Sequence, residues 1–118
     1  MRYEKCSMTQ PVPGKPVRGS RSGRPIMALL DLLGRRMTLR ILWELSQRET
    51  PMTFRALQEA AETNPSVLNA RVKELRDARI VTLEEGGYTL TADGEALVKL
   101  LLPLHQWAEG WAYRTTSK

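Results

Sequence analysis

Residues 64–97 constrain the fold more than any other stretch, because several structural signals occur there in a fixed order. Asn64 offers a side-chain oxygen to cap a helix that opens with Pro65, whose missing amide hydrogen would be orphaned there anyway. Leu68, Val72 and Leu75 then recur at helical spacing. Ile80-Val81-Thr82-Leu83 is a strand-forming run, Gly86-Gly87 tolerates positive φ, and Tyr88-Thr89-Leu90 returns as the partner strand. A helix followed at once by a hairpin is how a winged helix-turn-helix sets a reading helix and a wing against DNA. The expected fold class is therefore mainly α with a small β-hairpin, and nucleic-acid binding is the leading functional class.

Upstream, Pro25 opens a helix over 25–33 with Ile26, Leu29, Leu30 and Leu33 on one face and Gly34 as its stop. A second helix is expected over 36–47, burying Met37, Ile41, Leu42 and Leu45. Thr50-Pro51 breaks the chain, and Thr53 caps a third helix over 54–62 that buries Phe54, Leu57 and Ala61. The helix over 65–78 follows after a short turn, as the second member of a helix-turn-helix pair does. Past the hairpin, Thr91 caps a last helix lined by Ala96, Leu97, Leu100, Leu101 and Leu104. Pro103 should kink or restart it, since the apolar pattern continues through Trp107, Ala108 and Trp111.

On a helical wheel, Val72 and Leu75 fall within about 40° of Leu68 and define the core side. Ser66, Asn69, Ala70 and Lys73 fall on the opposite side. Small side chains let a helix enter the major groove, and Asn and Ser can reach base edges, so these four are the candidate base readers. Any amphipathic helix has a solvated face; the hairpin directly behind this one is what favours reading. Arg35 and Arg36 at the second helix, Arg55 in the first turn of the third, and Arg71 on the flank of the reading helix are candidate phosphate contacts. The wing argues the other way, because Glu84-Glu85-Gly86-Gly87 places two carboxylates and no cation at its tip.

The net charge of +5 is concentrated at one end. Residues 1–24 hold six basic side chains against one acidic, whereas 25–118 hold twelve of each. Rich in Pro, Gly and Ser, residues 1–24 are expected to form a disordered basic arm able to follow phosphates. The domain proper is expected over 25–113, with 114–118 as a tail. At 118 residues the chain supports one core. No run approaches a membrane span of ~18 apolar residues. No apolar stretch follows Met1-Arg2-Tyr3-Glu4-Lys5, so a secretory signal is not expected. One cysteine, Cys6, makes no internal disulfide and fits a reducing cytoplasm. With one histidine, His105, and no phosphate loop or metal-ligand spacing, neither an enzyme nor a cofactor or metal is expected. The competing class is a winged helix that binds another protein, because the body carries no net positive charge.

From Pro25 to Trp111 the chain resembles the HxlR-type transcriptional regulators, winged-helix proteins related to the MarR group. The match is carried by Leu30-Asp31-Leu32-Leu33-Gly34, Thr38-Leu39-Arg40-Ile41-Leu42-Trp43-Glu44-Leu45 and Phe54-Arg55-Ala56-Leu57. It continues in Leu68-Asn69-Ala70-Arg71-Val72-Lys73-Glu74-Leu75, Tyr88-Thr89-Leu90-Thr91 with Gly94, and Leu101-Leu102-Pro103-Leu104 with Trp107. The resemblance implies a homodimer joined through the first and last helices, here Leu29, Leu97, Leu101, Leu104, Trp107 and Trp111. It also implies an inverted-repeat DNA operator and a repressor role. Trp107, Trp111 and Tyr113 invite a pocket for a small-molecule effector, although an aromatic stripe at helical spacing is more often a dimer core. Trp43, beside the core face, is expected to lie off it and to meet a dimer partner. Three departures stand out. Arg24 stands where many members carry a redox cysteine, and Met37 stands where they carry tryptophan, while the wing is short and acidic.

Overall fold

The computed structural model describes residues 10–116. Five helices and one hairpin occur among them: α1 (Pro25–Leu33), α2 (Thr38–Ser46), α3 (Phe54–Ala61), α4 (Pro65–Asp77), β1 (Val81–Glu84), β2 (Gly87–Leu90) and α5 (Ala92–Thr116). The core lies where α2, α3, α4 and the hairpin meet. Ile41, Leu42, Leu57, Leu68, Leu75 and Val81 are each no more than 2% exposed there. The mainly helical winged helix-turn-helix expected from the sequence is the fold observed.

All three expected caps are made. Thr53 Oγ1 accepts from the Ala56 amide at 3.1 Å, Asn64 Oδ1 from Val67 at 2.9 Å, and Thr91 Oγ1 from Gly94 at 3.0 Å. Each satisfies a donor that the helix itself leaves unpaired. Helix α4 ends in a tight reversal with Arg79 in the left-handed region at φ 63°. The Arg79 amide bonds to the Arg76 carbonyl and the Ile80 amide to the Leu75 carbonyl, both at 2.9 Å. The reversal delivers the chain directly into β1.

The hairpin pairs Val81 with Leu90 through Glu84 with Gly87. An isolated bridge adds the α2–α3 connection to β2, where Met52 and Tyr88 exchange hydrogen bonds of 2.9 and 2.7 Å. Gly87, at φ 136°, has no room for a Cβ against the Met52 carbonyl. Behind the hairpin, the Ile80 carbonyl accepts from the Thr91 amide at 3.0 Å and from its hydroxyl at 3.1 Å. Buried Gly94 presses on the same carbonyl with no space for a side chain. These contacts fix the start of α5 on the start of β1.

Three expectations change, and helix α1 buries a side that the sequence reading left open. Helix α2 begins at Thr38 instead of Arg36, because Met37 sits at φ 71°, outside the helical region. Helix α1 buries Ala28, Asp31 and Leu32, leaving Leu29 and Leu33 half-buried and Ile26 and Leu30 more than half exposed. The apolar side read from the sequence therefore faces largely outward. Helix α5 runs unbroken through Pro103 to Thr116, so the tail expected at 114–118 is helical as far as it is described. Residues 10–24 are folded against the body: Pro11 and Val17 are buried, and the Gln10 amide donates to the Glu74 carbonyl at 2.9 Å. Val17 and Ser20 bond each other at 2.9 and 3.0 Å across a turn. The glycines and prolines there build turns around two apolar anchors. Cys6 and the rest of residues 1–9 lie outside the described residues, as do 117–118.

Gly94→Ala forces a methyl group onto the Ile80 carbonyl, so it should lower stability by about 2 kcal/mol or more. Urea unfolding measures this, and an unchanged midpoint would mean that α5 is not seated on Ile80.

Candidate nucleic-acid interface

The helix-turn-helix consists of α3, the turn Glu62-Thr63-Asn64, and α4. Glu62 turns the chain at φ 56°, ψ 49°, and the Thr63 amide reaches back to the Gln58 carbonyl at 3.3 Å. Arg40 on α2 steadies this unit by donating to the Ala60 carbonyl at 2.8 Å and to Glu44 at 3.1 Å. A cation at the C-terminal end of α3 also complements that helix's dipole.

Burial of Leu68, Val72 and Leu75 turns the opposite side of α4 outward. Ser66, Asn69 and Lys73 are exposed there and Ala70 is half-buried, so the structure brings the four candidate readers to one accessible face. Arg76 is exposed on the same side. The wheel that singled out Asn69 also places Arg76 about 20° from it, so the periodicity of the sequence already carried a signal for this cation. Lys73 lies 3.2 Å from Asp77, with both side chains largely exposed. An exposed pair of this kind contributes roughly 0–1 kcal/mol, so a DNA phosphate can compete for the lysine.

The four arginines expected at phosphates divide into two pairs. Arg36 is exposed in the turn before α2, and Arg55 is 90% exposed with Glu59 no closer than 4.0 Å. Arg35 and Arg71 are withdrawn. The Arg35 side chain is 10% exposed, bonded to Glu74 at 2.8 Å and 3.5 Å from Asp31. Arg71 is 18% exposed, 3.0 Å from Glu74 Oε1, and its guanidinium reaches the Arg36 carbonyl at 3.5 Å. These partners draw both guanidinium groups inward; Arg35 with Glu74 and Arg71 with the Arg36 carbonyl join residues remote in the chain, and the other two contacts are local. The wing tip exposes Glu84 and Glu85, with the half-exposed Leu83 beside them.

Away from this face, α5 leaves the body after its first turns. Leu97 and Leu101 are half-buried, Leu97 being packed on the core, while Leu104, Trp107 and Trp111 are all more than half exposed. Trp107 and Trp111 stack at 6.0 Å, with Arg114 5.9 Å above the Trp107 ring. Trp43 is 46% exposed and stacks on His105 at 6.4 Å. An apolar cleft of about 510 Å³ opens between α2 and α5, lined by Leu39, Trp43, Leu101, Leu102 and His105 among others. Trp107, Trp111 and Tyr113 do not line it. No helix among the described residues is long and apolar enough to cross a membrane.

The family model for HxlR-like helix-turn-helix proteins matches residues 32–116. Among solved structures, quinone-bound YodB from B. subtilis is similar, with a TM-score of 0.67 and 29% identity over 72% of this chain and 96% of that one. No match occurs among curated proteins. The family match spans α2 through α5 and so takes in both helices of the turn, the hairpin and the last helix. The chain belongs to the HxlR-like helix-turn-helix family and is a DNA-binding transcription regulator.

Proposed function

We propose that the protein acts as a homodimeric repressor on an inverted-repeat operator. The observation that carries this reading is the half of α5 that leaves the body with its apolar side chains uncovered. Burying a large apolar side chain contributes about 2 kcal/mol, so Leu104, Trp107 and Trp111 together favour association strongly. Leu29, Leu97 and Leu101 border that surface, and the outward Ile26 and Leu30 of α1 extend it. One α4 offers few base-reaching side chains, Ser66, Asn69, Ala70 and Lys73. A two-fold dimer presents two such helices and therefore matches two inverted half-sites. Arg36, Arg55 and Arg76 hold phosphates at its edges. A dimer seated across a promoter excludes polymerase, which is repression. In this reading a small apolar effector enters the cleft between α2 and α5, and the aromatic stripe of α5 is left to the dimer.

Trp107→Glu combined with Leu104→Asp changes side chains that are exposed in the protomer. Folding should survive while sedimentation moves from dimer to monomer and operator affinity falls at least about tenfold, as when one of two half-sites is disengaged. A variant that stays dimeric would place the interface elsewhere.

Asn69→Ala with Lys73→Ala should weaken binding to a selected operator by about 1–3 kcal/mol for each base-reading side chain removed, with a smaller effect on random duplex. Equal weakening on both would make these residues phosphate ligands. If the unaltered protein lacks salt-dependent affinity for any duplex, a protein-binding winged helix becomes the better reading.

Glu84→Lys with Glu85→Lys should raise random-duplex affinity and steepen its salt dependence, by about 0.9 in slope per phosphate newly engaged. Unaltered affinity in a gel-shift titration would put the wing tip out of reach of DNA.

A further inference from the structure

Four ionisable side chains from α1, the following turn and α4 meet on the inner flank of the reading helix. Asp31, Arg35, Arg71 and Glu74 have side-chain exposures of 4, 10, 18 and 15%. Glu74 is the hub: Oε2 accepts from Arg35 at 2.8 Å and from Arg71 at 3.3 Å, and Oε1 lies 3.0 Å from Arg71 Nε. That last approach is close but poorly aligned, since neither Arg71 Nε nor Glu74 Oε1 has a hydrogen-bond partner. One carboxylate thus restrains two arginines, and the second is bound less completely than the first. Arg71 also abuts the backbone of exposed Arg36, so the surface where phosphate would approach is one residue away.

We propose that Glu74 is a specificity-setting residue of DNA binding, which keeps Arg35 and Arg71 off the phosphate backbone while anchoring the inner flank of α4. The inference rests on the DNA-binding reading above. Phosphate contacts strengthen binding to every sequence alike, whereas base contacts discriminate. Sequestering two cations therefore lowers affinity for random DNA and leaves the outer face of α4 with a larger share of the binding. Glu74 touches no base in this scheme; it acts by where it holds its partners.

The test compares the full-length protein with Glu74→Gln and, separately, Arg71→Gln. The probes are a duplex enriched by the unaltered protein from a randomised library and a random duplex of equal length, titrated from about 50 to 200 mM salt. Glu74→Gln should bind random duplex more tightly, with a slope of log affinity against log salt steeper by about 1–2, close to one phosphate per released arginine. The ratio of selected to random affinity should fall at least about fivefold. A glutamine that only loosens the fold would weaken both duplexes together with an unchanged or shallower slope, and that result overturns the proposal. Arg71→Gln should leave the slope as it was, and a slope shallower by about 1 would mean that Arg71 already holds a phosphate. If Glu74→Gln does not fold, Arg71→Gln decides by itself. Unaltered protein without salt-dependent binding removes the DNA reading and this inference together. Unaltered protein that binds, with a Glu74→Gln slope equal to its own, removes only the inference.

Discussion

Helix α4 has 13 residues, too few to be stable alone in water, so its existence and its pose depend on what it is clamped to. Leu68, Val72 and Leu75 form the clamp, with exposures of 0, 2 and 0%. Two further attachments fix rotation and position along the axis. At the C-terminal end, Arg79 reverses the chain into β1. On the flank, the Glu74 carboxylate meets Arg35 while its carbonyl accepts from Gln10. With those sides taken, Ser66, Asn69, Lys73 and Arg76, with Pro65 and Asp77 at the helix ends, are the residues of α4 left exposed. The candidate reading surface is what burial leaves over.

The same contacts determine which cations can reach a phosphate. Lys73 and Arg55 have exposed partners at 3.2 and 4.0 Å, pairs that contribute under about 1 kcal/mol and yield readily to phosphate. Arg35 and Arg71 sit beside nearly buried carboxylates, and removing a partner from a buried pair costs roughly 3–5 kcal/mol. An approaching phosphate cannot supply that while also leaving Glu74 unpaired. Counting arginines near helix ends therefore overstates the grip of this surface. Pairing decides more than proximity in sequence.

Much of the fold was legible because its signals are local. The caps at Thr53, Asn64 and Thr91, the glycine pair before Tyr88, and the stripes of α2, α3 and α4 each act within a few residues. The reading face was legible as the complement of a stripe. What could not be read depends on contacts distant in sequence. Nothing near Arg35 indicates Glu74 as its partner, and nothing near Gln10 or Val17 indicates a docking surface that turns a Pro- and Gly-rich arm into ordered turns. Met37 in the left-handed region is likewise a tertiary outcome, since its neighbours alone read as helix. In α1 an apolar period was present, but the buried side carries Asp31, because a carboxylate paired with Arg35 can be buried where an unpaired one cannot.

Periodicity identifies a side that will be covered without naming the chain that covers it. In α5 the pattern runs from Leu97 to Trp111; Leu97 and Leu101 are half-buried and His105 meets Trp43, yet Leu104, Trp107 and Trp111 are each more than half exposed. The connection from α4 to that uncovered portion is short and stiff. It passes through the reversal at Arg79, the paired strand β1, and the junction where Thr91 and Gly94 close on the Ile80 carbonyl. None of these joints has slack: two are held by backbone hydrogen bonds and the third has no room for a methyl group. In the proposed dimer, the angle at which two α5 helices pack therefore becomes the spacing and tilt of two α4 helices. The half-site separation on DNA is then set by Leu104, Trp107 and Trp111 rather than by anything in the reading helix itself. An acidic wing costs such a dimer little, because its specificity comes from placing two modest reading surfaces in register.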